Sequence, residues 1–247
     1  MSNVGPGCEI WVLPEASHGH AGREARCRVF WGHAGRPGRL VDQKRLSAWV
    51  ASSGGERLSL EVEPGDNTYH RLRFTPDREG FWAVTVENDV GPVAVTREGY
   101  YRRGTRRDYP GAGEVGYYYQ YAKTWVQVGH LGHPYVAPEP SFEAGYLGHE
   151  LELVAAPGLY RAGEEVILEA RYRGHPMPGA EVRATWVQRE EEGWAVVQTA
   201  DAAGRAKFDL VHPGHWLFYI RQVIDTPDEE EYDRRAYSAT LALLVVR

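Results

Sequence analysis

Apolar and polar residues alternate with a period of two along much of this chain, and this pattern constrains its fold more than any other feature. The alternation is clearest where Val166, Leu168, Ala170 and Tyr172 occupy every second position. Successive side chains of a strand point to opposite faces, so the pattern predicts strands that are buried on one side. No stretch longer than about ten residues has the 3.6-residue period of a helix. The chain is therefore predicted to be all-β.

Turn signals divide the second half of the chain into short strands. "HPMPGA" at 175–180 and "DAAGR" at 201–205 carry the residues that favour turns. They separate alternating segments at 181–187, 206–210 and 213–220. Strands separated by turns about every ten to fifteen residues, without a helical period, predict an Ig-like β-sandwich of about 100 residues.

The first half carries alternating segments that are less regular but also predict strands. These segments lie at 10–13, 25–30, 45–50, 58–62, 69–74, 81–87 and 93–96. A connection rich in proline and glycine at 129–150 is typical of an inter-domain linker. We therefore predict two β-sandwich domains, 1–148 and 149–247, of which the C-terminal one is Ig-like.

Charge and hydropathy exclude two classes of partner. The 247 residues carry a formal net charge of -6, so the chain lacks the basic surface that nucleic-acid binding requires. No run of 18 apolar residues is present, so no membrane insertion is expected. The first residues contain neither the basic nor the apolar region of a secretory signal. We expect a cytoplasmic protein if the chain is full length, and an exported one if a signal has been removed.

Two cysteines, Cys8 and Cys27, are too few for a disulfide framework and lack the spacing of a zinc ribbon or redox motif. A single bridge between them stays open at this point. Cys27 alternates with Ala25 and Val29 on one strand face, opposite two arginines. We therefore predict that Cys27 points into the core as a small apolar side chain.

Histidines beside glycines are the candidate metal ligands of this chain. The pentad Gly-His-Ala-Gly-Arg occurs at 19–23 and again at 32–36. His18 and His20 share one face if the segment is extended, and a turn would bring His130 and His133 together. Neutral imidazole is a ligand suited to Ni²⁺ and Co²⁺, and Zn²⁺ or Cu²⁺ is also expected to bind in vitro. The alternative is that these histidines are solvated loop residues.

The two pentads flank one predicted strand, so they begin at its opposite ends. A strand of six or seven residues rises roughly 20 Å, whereas metal–ligand distances are near 2 Å. One ion cannot hold both His20 and His33 unless a loop folds back, and the repeat is better explained as two turns. Our hypothesis is that His33 joins His130 or His133, with His18 and His20 as less certain ligands.

The tyrosine-rich segment 116–125 offers a second kind of site. Tyr117, Tyr119 and Tyr121 share one face of an extended strand. They form either an aromatic platform for a sugar or a nucleobase, or a strand that covers a sheet. A protein with such an aromatic platform is a carbohydrate- or protein-binding module without metal.

Motifs of familiar enzymes are missing from the sequence. It has no GxSxG elbow, no P-loop, no HExxH and no dinucleotide fingerprint. We therefore expect a protein that is not an enzyme. A hydrolase that uses histidine and carboxylates on loops is the remaining enzymatic alternative.

Several segments together resemble a known family. They are "WVLP" at 11–14, "FWGH" at 30–33, "YAKTWVQVG" at 121–129, and the run from "GHPMPGAEV" through "TADAAGR" to "PGHW". In this order they resemble the family named for the periplasmic component of cobalt and nickel ABC-type uptake systems. The likeness covers nearly the whole chain and includes a terminal Ig-like or transthyretin-like module.

The resemblance implies a periplasmic, non-enzymatic β protein. Such a protein binds Ni²⁺ or Co²⁺, or helps a membrane metal transporter to capture the ion. Carried over by position, the firmest site candidate is His33 in "WGHAG". Gly7 and Cys8 stand where members of that family often carry a further histidine.

Overall fold

The computed structural model describes residues 8–52, 55–130, 142–228 and 230–247, and this part of the chain is almost entirely β. The strands of the first half are β1 (Glu9–Pro14), β2 (Ala25–His33), β3 (Arg36–Pro37), β4 (Leu46–Ala51), β5 (Arg57–Leu60), β6 (Glu63–Pro64), β7 (Tyr69–Phe74), β8 (Gly80–Val95), β9 (Tyr101–Arg103) and β10 (Glu114–Val128). A single 3-10 turn, Gln43–Arg45, precedes β4. The predicted all-β class is confirmed.

The second half begins with one helical turn, α1 (Phe142–Gly145). Its strands are β11 (Leu151–Val154), β12 (Tyr160–Arg161), β13 (Glu165–Tyr172), β14 (His175–Pro176), β15 (Glu181–Trp186), β16 (Val196–Thr199), β17 (Arg205–Asp209), β18 (Gly214–Asp228) and β19 (Tyr232–Val246).

These strands form a central sheet and two smaller outer sheets. The central sheet has the order β16-β15-β18-β19-β10-β8-β4-β5, with β12 and β9 attached to β19 and β8. The first outer sheet has the order β1-β2-β7-β6, and β3 pairs with β2. The second outer sheet has the order β11-β13-β14, and β17 pairs with β13. Each outer sheet covers one half of the central sheet, which makes two β-sandwiches.

The first sandwich packs the first outer sheet against β4, β8 and β10. Val12, Cys27 and Leu72 from the outer sheet and Val84 from the central sheet are all buried in its core. Cys27 thus points inward as predicted, and burial raises the pKa of its thiol far above the ordinary range. Cys27 is a free thiol, so it forms no bridge with Cys8.

The second sandwich has the strand arrangement of an Ig-like domain. Strands β11, β13 and β17 form one sheet, and β16, β15, β18 and β19 form the other, which corresponds to an A-B-E sheet facing a C′-C-F-G sheet. Leu168, Trp216, Phe218 and Leu241 are fully buried between them. The predicted Ig-like C-terminal sandwich is confirmed.

The first half repeats this strand arrangement. Strands β1, β2 and β7 take the A-B-E places, and β5, β4, β8 and β10 take the C′-C-F-G places. The two last strands, β10 and β19, pair in parallel from Gly116↔Arg234 to Thr124↔Ala242. The halves are therefore related by an approximate two-fold axis along these strands. The two sandwiches on either side of residue 148 share one sheet.

This axis explains why the outer sheets lie on opposite faces of the central sheet. A rotation about an axis along the strands exchanges the two faces of a sheet. On β10, Ala122 and Val126 belong to the core of the first sandwich, whereas Tyr121 and Trp125 belong to the core of the second. Alternate residues of one strand therefore serve two different cores.

Both copies of the pentad form turns, and each turn recurs in the second half. Gly22 (φ 73) in the first copy corresponds to Gly163 (φ 90) before β13. In the second copy, Ala34 (φ 47) and Gly35 (φ 79) form the two-residue turn of the β2–β3 hairpin. Arg173 and Gly174, with φ 50 and 80, form the same turn between β13 and β14. Two successive residues with positive φ indicate a type I′ turn.

Replacing Gly35 with alanine is expected to lower the free energy of unfolding by about 1–2 kcal/mol, the cost of a left-handed conformation for a residue with a side chain. Steric crowding does not cause this loss of stability, because the nearest atom to a Cβ added at Gly35 is 3.7 Å away. Gly111→Ala is the matched control, since no atom lies within 4 Å of its added Cβ and no positive φ is required. Urea unfolding measures both, and equal stabilities of the two variants would contradict the turn assignment.

Candidate functional site

Three histidines from two distant segments lie together at one end of the first sandwich. The ring centroids of His18 and His20 are 5.0 Å apart, those of His20 and His130 are 5.5 Å apart, and those of His18 and His130 are 6.3 Å apart. We call this group the histidine cluster. It brings His130 to the pair of His18 and His20, from which it is distant in the sequence.

Backbone hydrogen bonds hold the histidine cluster together. The N–H of Gly19 donates to the carbonyl of Gln127 at 2.7 Å, and the N–H of Gly129 donates to the carbonyl of Gly19 at 3.0 Å. Gly19 thereby forms a parallel bridge with Val128, the last residue of β10. His18 and His20 flank Gly19, so they lie on the same side of this bridge, as the i and i+2 pattern predicts.

The spacing of the rings is compatible with one shared metal ion. Two imidazoles bound to one ion through metal–nitrogen bonds of about 2.1 Å have centroids roughly 5 Å apart at a tetrahedral angle. Two of the observed separations, 5.0 and 5.5 Å, match this spacing. The rings meet edge to face, however, at 76° and 66°. Within the described ranges, no group of three or more histidine, cysteine, aspartate and glutamate side chains is already arranged around a common point.

Metal binding at the histidine cluster therefore requires the rings to turn. His20 and His130 are exposed and His18 is half-buried, so these side chains have room to change rotamer.

His33 lies at the other end of the first sandwich. Ala25, the first residue of β2, packs beside Gly19, and His33 is the last residue of that strand. Eight residues of strand separate them by roughly 26 Å. The structure therefore places His33 far from His130, and it does not bring together the pair that we expected from the sequence. His133 lies outside the described residues.

His33 contacts a buried carboxylate instead. Its Nδ1 is 3.3 Å from Oε1 of Glu9, and the other carboxylate oxygen accepts a hydrogen bond from the N–H of Ala34 at 3.0 Å. Burial raises the pKa of Glu9 to about 7, although Ala34 and His33 favour its ionised form. The ring of His33 also meets Trp194 edge to face at 6.4 Å. The second pentad thus carries a local structural contact.

The tyrosines of β10 do not form a flat platform. Tyr117 and Tyr119 stack on each other at 4.7 Å, and Tyr119 stacks on Tyr237 at 5.5 Å. Tyr121 stacks on the buried ring of His149 at 5.1 Å. A sugar stacks on an open ring face, whereas faces of these tyrosine rings are directed at neighbouring rings. The arrangement favours the alternative in which these tyrosines cover the sheet.

A buried ion pair that no sequence pattern indicates links β10 to the second outer sheet. Lys123 on β10 and Glu152 on β11 are both fully buried, and Nζ of Lys123 is 2.5 Å from Oε1 of Glu152. In the sequence, Lys123 is only the polar residue of "YAK". Nothing in the local pattern indicates that its partner is Glu152, 29 positions away.

The described helices include none that is long and apolar enough to cross a membrane. The class of protein that emerges is an all-β protein of two fused Ig-like sandwiches, with a histidine cluster at one end of the first. The chain belongs to the family described as "Domain of unknown function (DUF4198)", which matches residues 7–223. A comparison with curated proteins finds no significant match.

Solved structures that match parts of this chain include trypsin-activated alpha-2-macroglobulin from Escherichia coli, at 11% identity and a TM-score of 0.30. That match covers 95% of this chain and 15% of the macroglobulin chain. The D0-D1 domain of intimin matches at 10% identity and a TM-score of 0.26, over 96% of this chain and 97% of that one. A DUF4785 family protein from Legionella pneumophila matches at 8% identity and 0.31, over 85% and 50% of the two chains.

Proposed function

We propose that this protein binds a divalent transition metal ion, Ni²⁺ or Co²⁺, at the histidine cluster and serves as a non-enzymatic accessory protein of metal uptake. The observation that carries the proposal is the convergence of His18, His20 and His130 within 6.3 Å on a backbone held by hydrogen bonds. In this proposal the protein carries the ion and performs no reaction on it.

The chemistry of three imidazoles suits this role. Imidazole is a ligand of intermediate softness that binds Ni²⁺, Co²⁺, Zn²⁺ and Cu²⁺, with Cu²⁺ binding most tightly in vitro. Three nitrogen ligands leave coordination positions for water or for a ligand from a partner. The exposure of His20 and His130 gives a membrane metal transporter access to the ion. The resemblance to the uptake family adds the expectation of a periplasmic location.

The test is isothermal titration of the tag-free full chain with Ni²⁺. We expect one ion per chain, and we expect His20→Ala and His130→Ala each to weaken binding at least about 10-fold, a loss that even outer-shell substitutions produce at metal sites. His175→Ala is the matched control, because His175 is an exposed histidine on β14 in the second sandwich. Binding should also weaken in acidic solution, because a protonated imidazole nitrogen cannot bind a metal ion.

His33→Ala separates the structural proposal from the hypothesis based on sequence alone. If the histidine cluster holds the ion, His33→Ala binds Ni²⁺ like the wild type. If His33→Ala abolishes binding while His20→Ala does not, the ion is held elsewhere and the proposal is wrong. Circular dichroism of each variant checks that the β fold is retained.

A further inference from the structure

A carboxylate lies beside the histidine cluster, on the segment that leads into β8. Glu79 immediately precedes Gly80, which pairs with Val128 at the end of β10. Three positions before Glu79, the carbonyl of Pro76 accepts a hydrogen bond of 2.7 Å from the N–H of Gly22 in the first pentad. Glu79 is thus situated between two attachments, one to each of the segments that supply the histidines.

The carboxylate of Glu79 lies over Gly129, the residue before His130. A Cβ added at Gly129 would lie 3.1 Å from Cδ of Glu79 and 3.2 Å from its Oε2. A side chain at this position would crowd the carboxylate, and the φ of 114° also favours glycine. The N–H of Gly129 is bonded to the carbonyl of Gly19, which lies between His18 and His20. The carboxylate therefore covers the residue at which the two histidine segments are joined.

The carboxylate of Glu79 and the imidazole rings lie on the same side of the chain. A Cβ added at Gly19 would lie 3.6 Å from Cγ2 of Val128, which belongs to the core of the first sandwich. His18 and His20 flank Gly19, so they point away from this core. Gly129 directly follows Val128, so the position that the carboxylate covers also faces away from the core.

The arginine next to Glu79 is engaged with other carboxylates. The guanidinium of Arg78 is 3.6 Å from an oxygen of Glu56 and 3.2 Å from an oxygen of Asp77. It also donates a hydrogen bond to the hydroxyl of Ser52 at 3.3 Å. The side chain of Arg78 is therefore directed to the loop between β4 and β5. Its positive charge, which repels a metal ion, is balanced there.

We propose that Glu79 supplies a fourth ligand, a carboxylate oxygen, to the metal ion at the histidine cluster. This inference rests on the proposed function, because it concerns the same ion. Carboxylate oxygens bind a divalent ion at about 2.0–2.2 Å alongside imidazole nitrogens, so three histidines and one glutamate form a complete four-coordinate set. Glu79 is exposed, so its side chain has room to adopt the rotamer that reaches the ion. Its negative charge also attracts a cation, which neutral imidazoles do not.

Isothermal titration of Glu79→Gln and Glu79→His with Ni²⁺ tests this inference on the tag-free full chain. Glutamine removes the charged oxygen ligand, so we expect binding to weaken at least about 10-fold, a loss that even outer-shell substitutions produce at metal sites. Histidine provides another metal ligand, so Glu79→His should bind Ni²⁺ more tightly than Glu79→Gln, although both variants lack the same charge. Bound Co²⁺ provides a second measurement, because its visible absorption depends on the atoms that bind it. This absorption should change in Glu79→His.

Asp77→Asn is the matched control, because it removes the same charge from an exposed residue two positions earlier. It should retain the Ni²⁺ affinity and the Co²⁺ absorption of the wild type. The inference is wrong if Glu79→Gln binds Ni²⁺ like the wild type, or if Glu79→His binds it no better than Glu79→Gln. If Glu79→Gln binds like the wild type while His20→Ala loses the ion, only this inference fails. If the wild type binds no Ni²⁺, the proposed function fails with it.

Discussion

Replacing Lys123 with methionine is expected to lower the free energy of unfolding by about 3–5 kcal/mol, the usual cost of leaving one member of a buried ion pair alone. The side chains of Lys123 and Glu152 are 2% and 1% exposed, so water cannot replace the lost partner. The ammonium also donates to the carbonyl of Gly145 at 2.8 Å. Urea unfolding of both proteins at neutral pH measures the difference.

Glu152 explains why the loss should be large. Its carboxylate accepts hydrogen bonds from the N–H groups of Leu147, Gly148 and His149 at 2.9, 3.0 and 3.2 Å. Burial acts to raise the pKa of Glu152, but the charge of Lys123 and these hydrogen bonds hold it below its ordinary value. The pair is therefore ionised in the folded protein. Lys123→Met leaves the negative charge of Glu152 in the core without a partner.

Two further variants make the result specific. Lys207→Met removes an exposed partner of Glu165 and should cost less than about 1 kcal/mol, as is usual for surface pairs. Adding Glu152→Gln to Lys123→Met should recover part of the lost free energy of unfolding, because the unpaired negative charge is then removed. A Lys123→Met protein as stable as Lys207→Met would show that the pair contributes nothing.

The second large effect concerns pH, because two buried groups act on stability with opposite signs. Burial lowers the pKa of His149 from 6.5 to about 4, so the unfolded chain takes up a proton in this range before the folded protein does. The contribution of His149 is present above pH 6.5 and is lost as the pH falls towards 4. Relative to His149→Gln, the wild type should lose about 3 kcal/mol across this interval.

Glu9 acts in the other direction. Burial raises its pKa from 4.5 to about 7, so the folded protein keeps a proton that the unfolded chain releases. Its contribution is present below pH 4.5 and is lost as the pH rises through about 7. Relative to Glu9→Gln, the wild type should lose about 3 kcal/mol between these values.

The two slopes should largely cancel in the wild type between about pH 4.5 and 6.5, which leaves a flat stability profile in that window. Each single variant should expose the slope of the other group, with stability rising with pH in Glu9→Gln and falling with pH in His149→Gln. Denaturant unfolding across this range checks both signs. Parallel profiles for the two variants would rule out this explanation.

Local patterns predicted the strands and turns because these depend on near neighbours. The alternation around Leu168 places a strand correctly, and the glycines of both pentads mark the turns in which they lie. The extended segment at His18 and His20 places both rings on one side, as the i and i+2 spacing predicts. The inward direction of Cys27 follows from the same alternation.

These local patterns could not predict which distant strands pair. Nothing in the sequence of β10 shows that its neighbour is β19, which lies more than a hundred positions later and runs parallel to it. This pairing joins two Ig-like halves into one sheet, and the bridge between Gly19 and Val128 brings His130 to the first pentad. We expected His33 to join His130 or His133, but the structure places His130 at the opposite end of β2 from His33. Linear spacing cannot show which end of a strand a distant segment reaches.

The sequence by itself thus determined the all-β class, the turns and the shared face of His18 and His20, because each depends on residues only a few positions apart. The tertiary structure alone decided which histidines meet and which lysine is buried against which glutamate. Those outcomes depend on contacts between segments that are distant in the chain, and such contacts form only when whole sheets pack together.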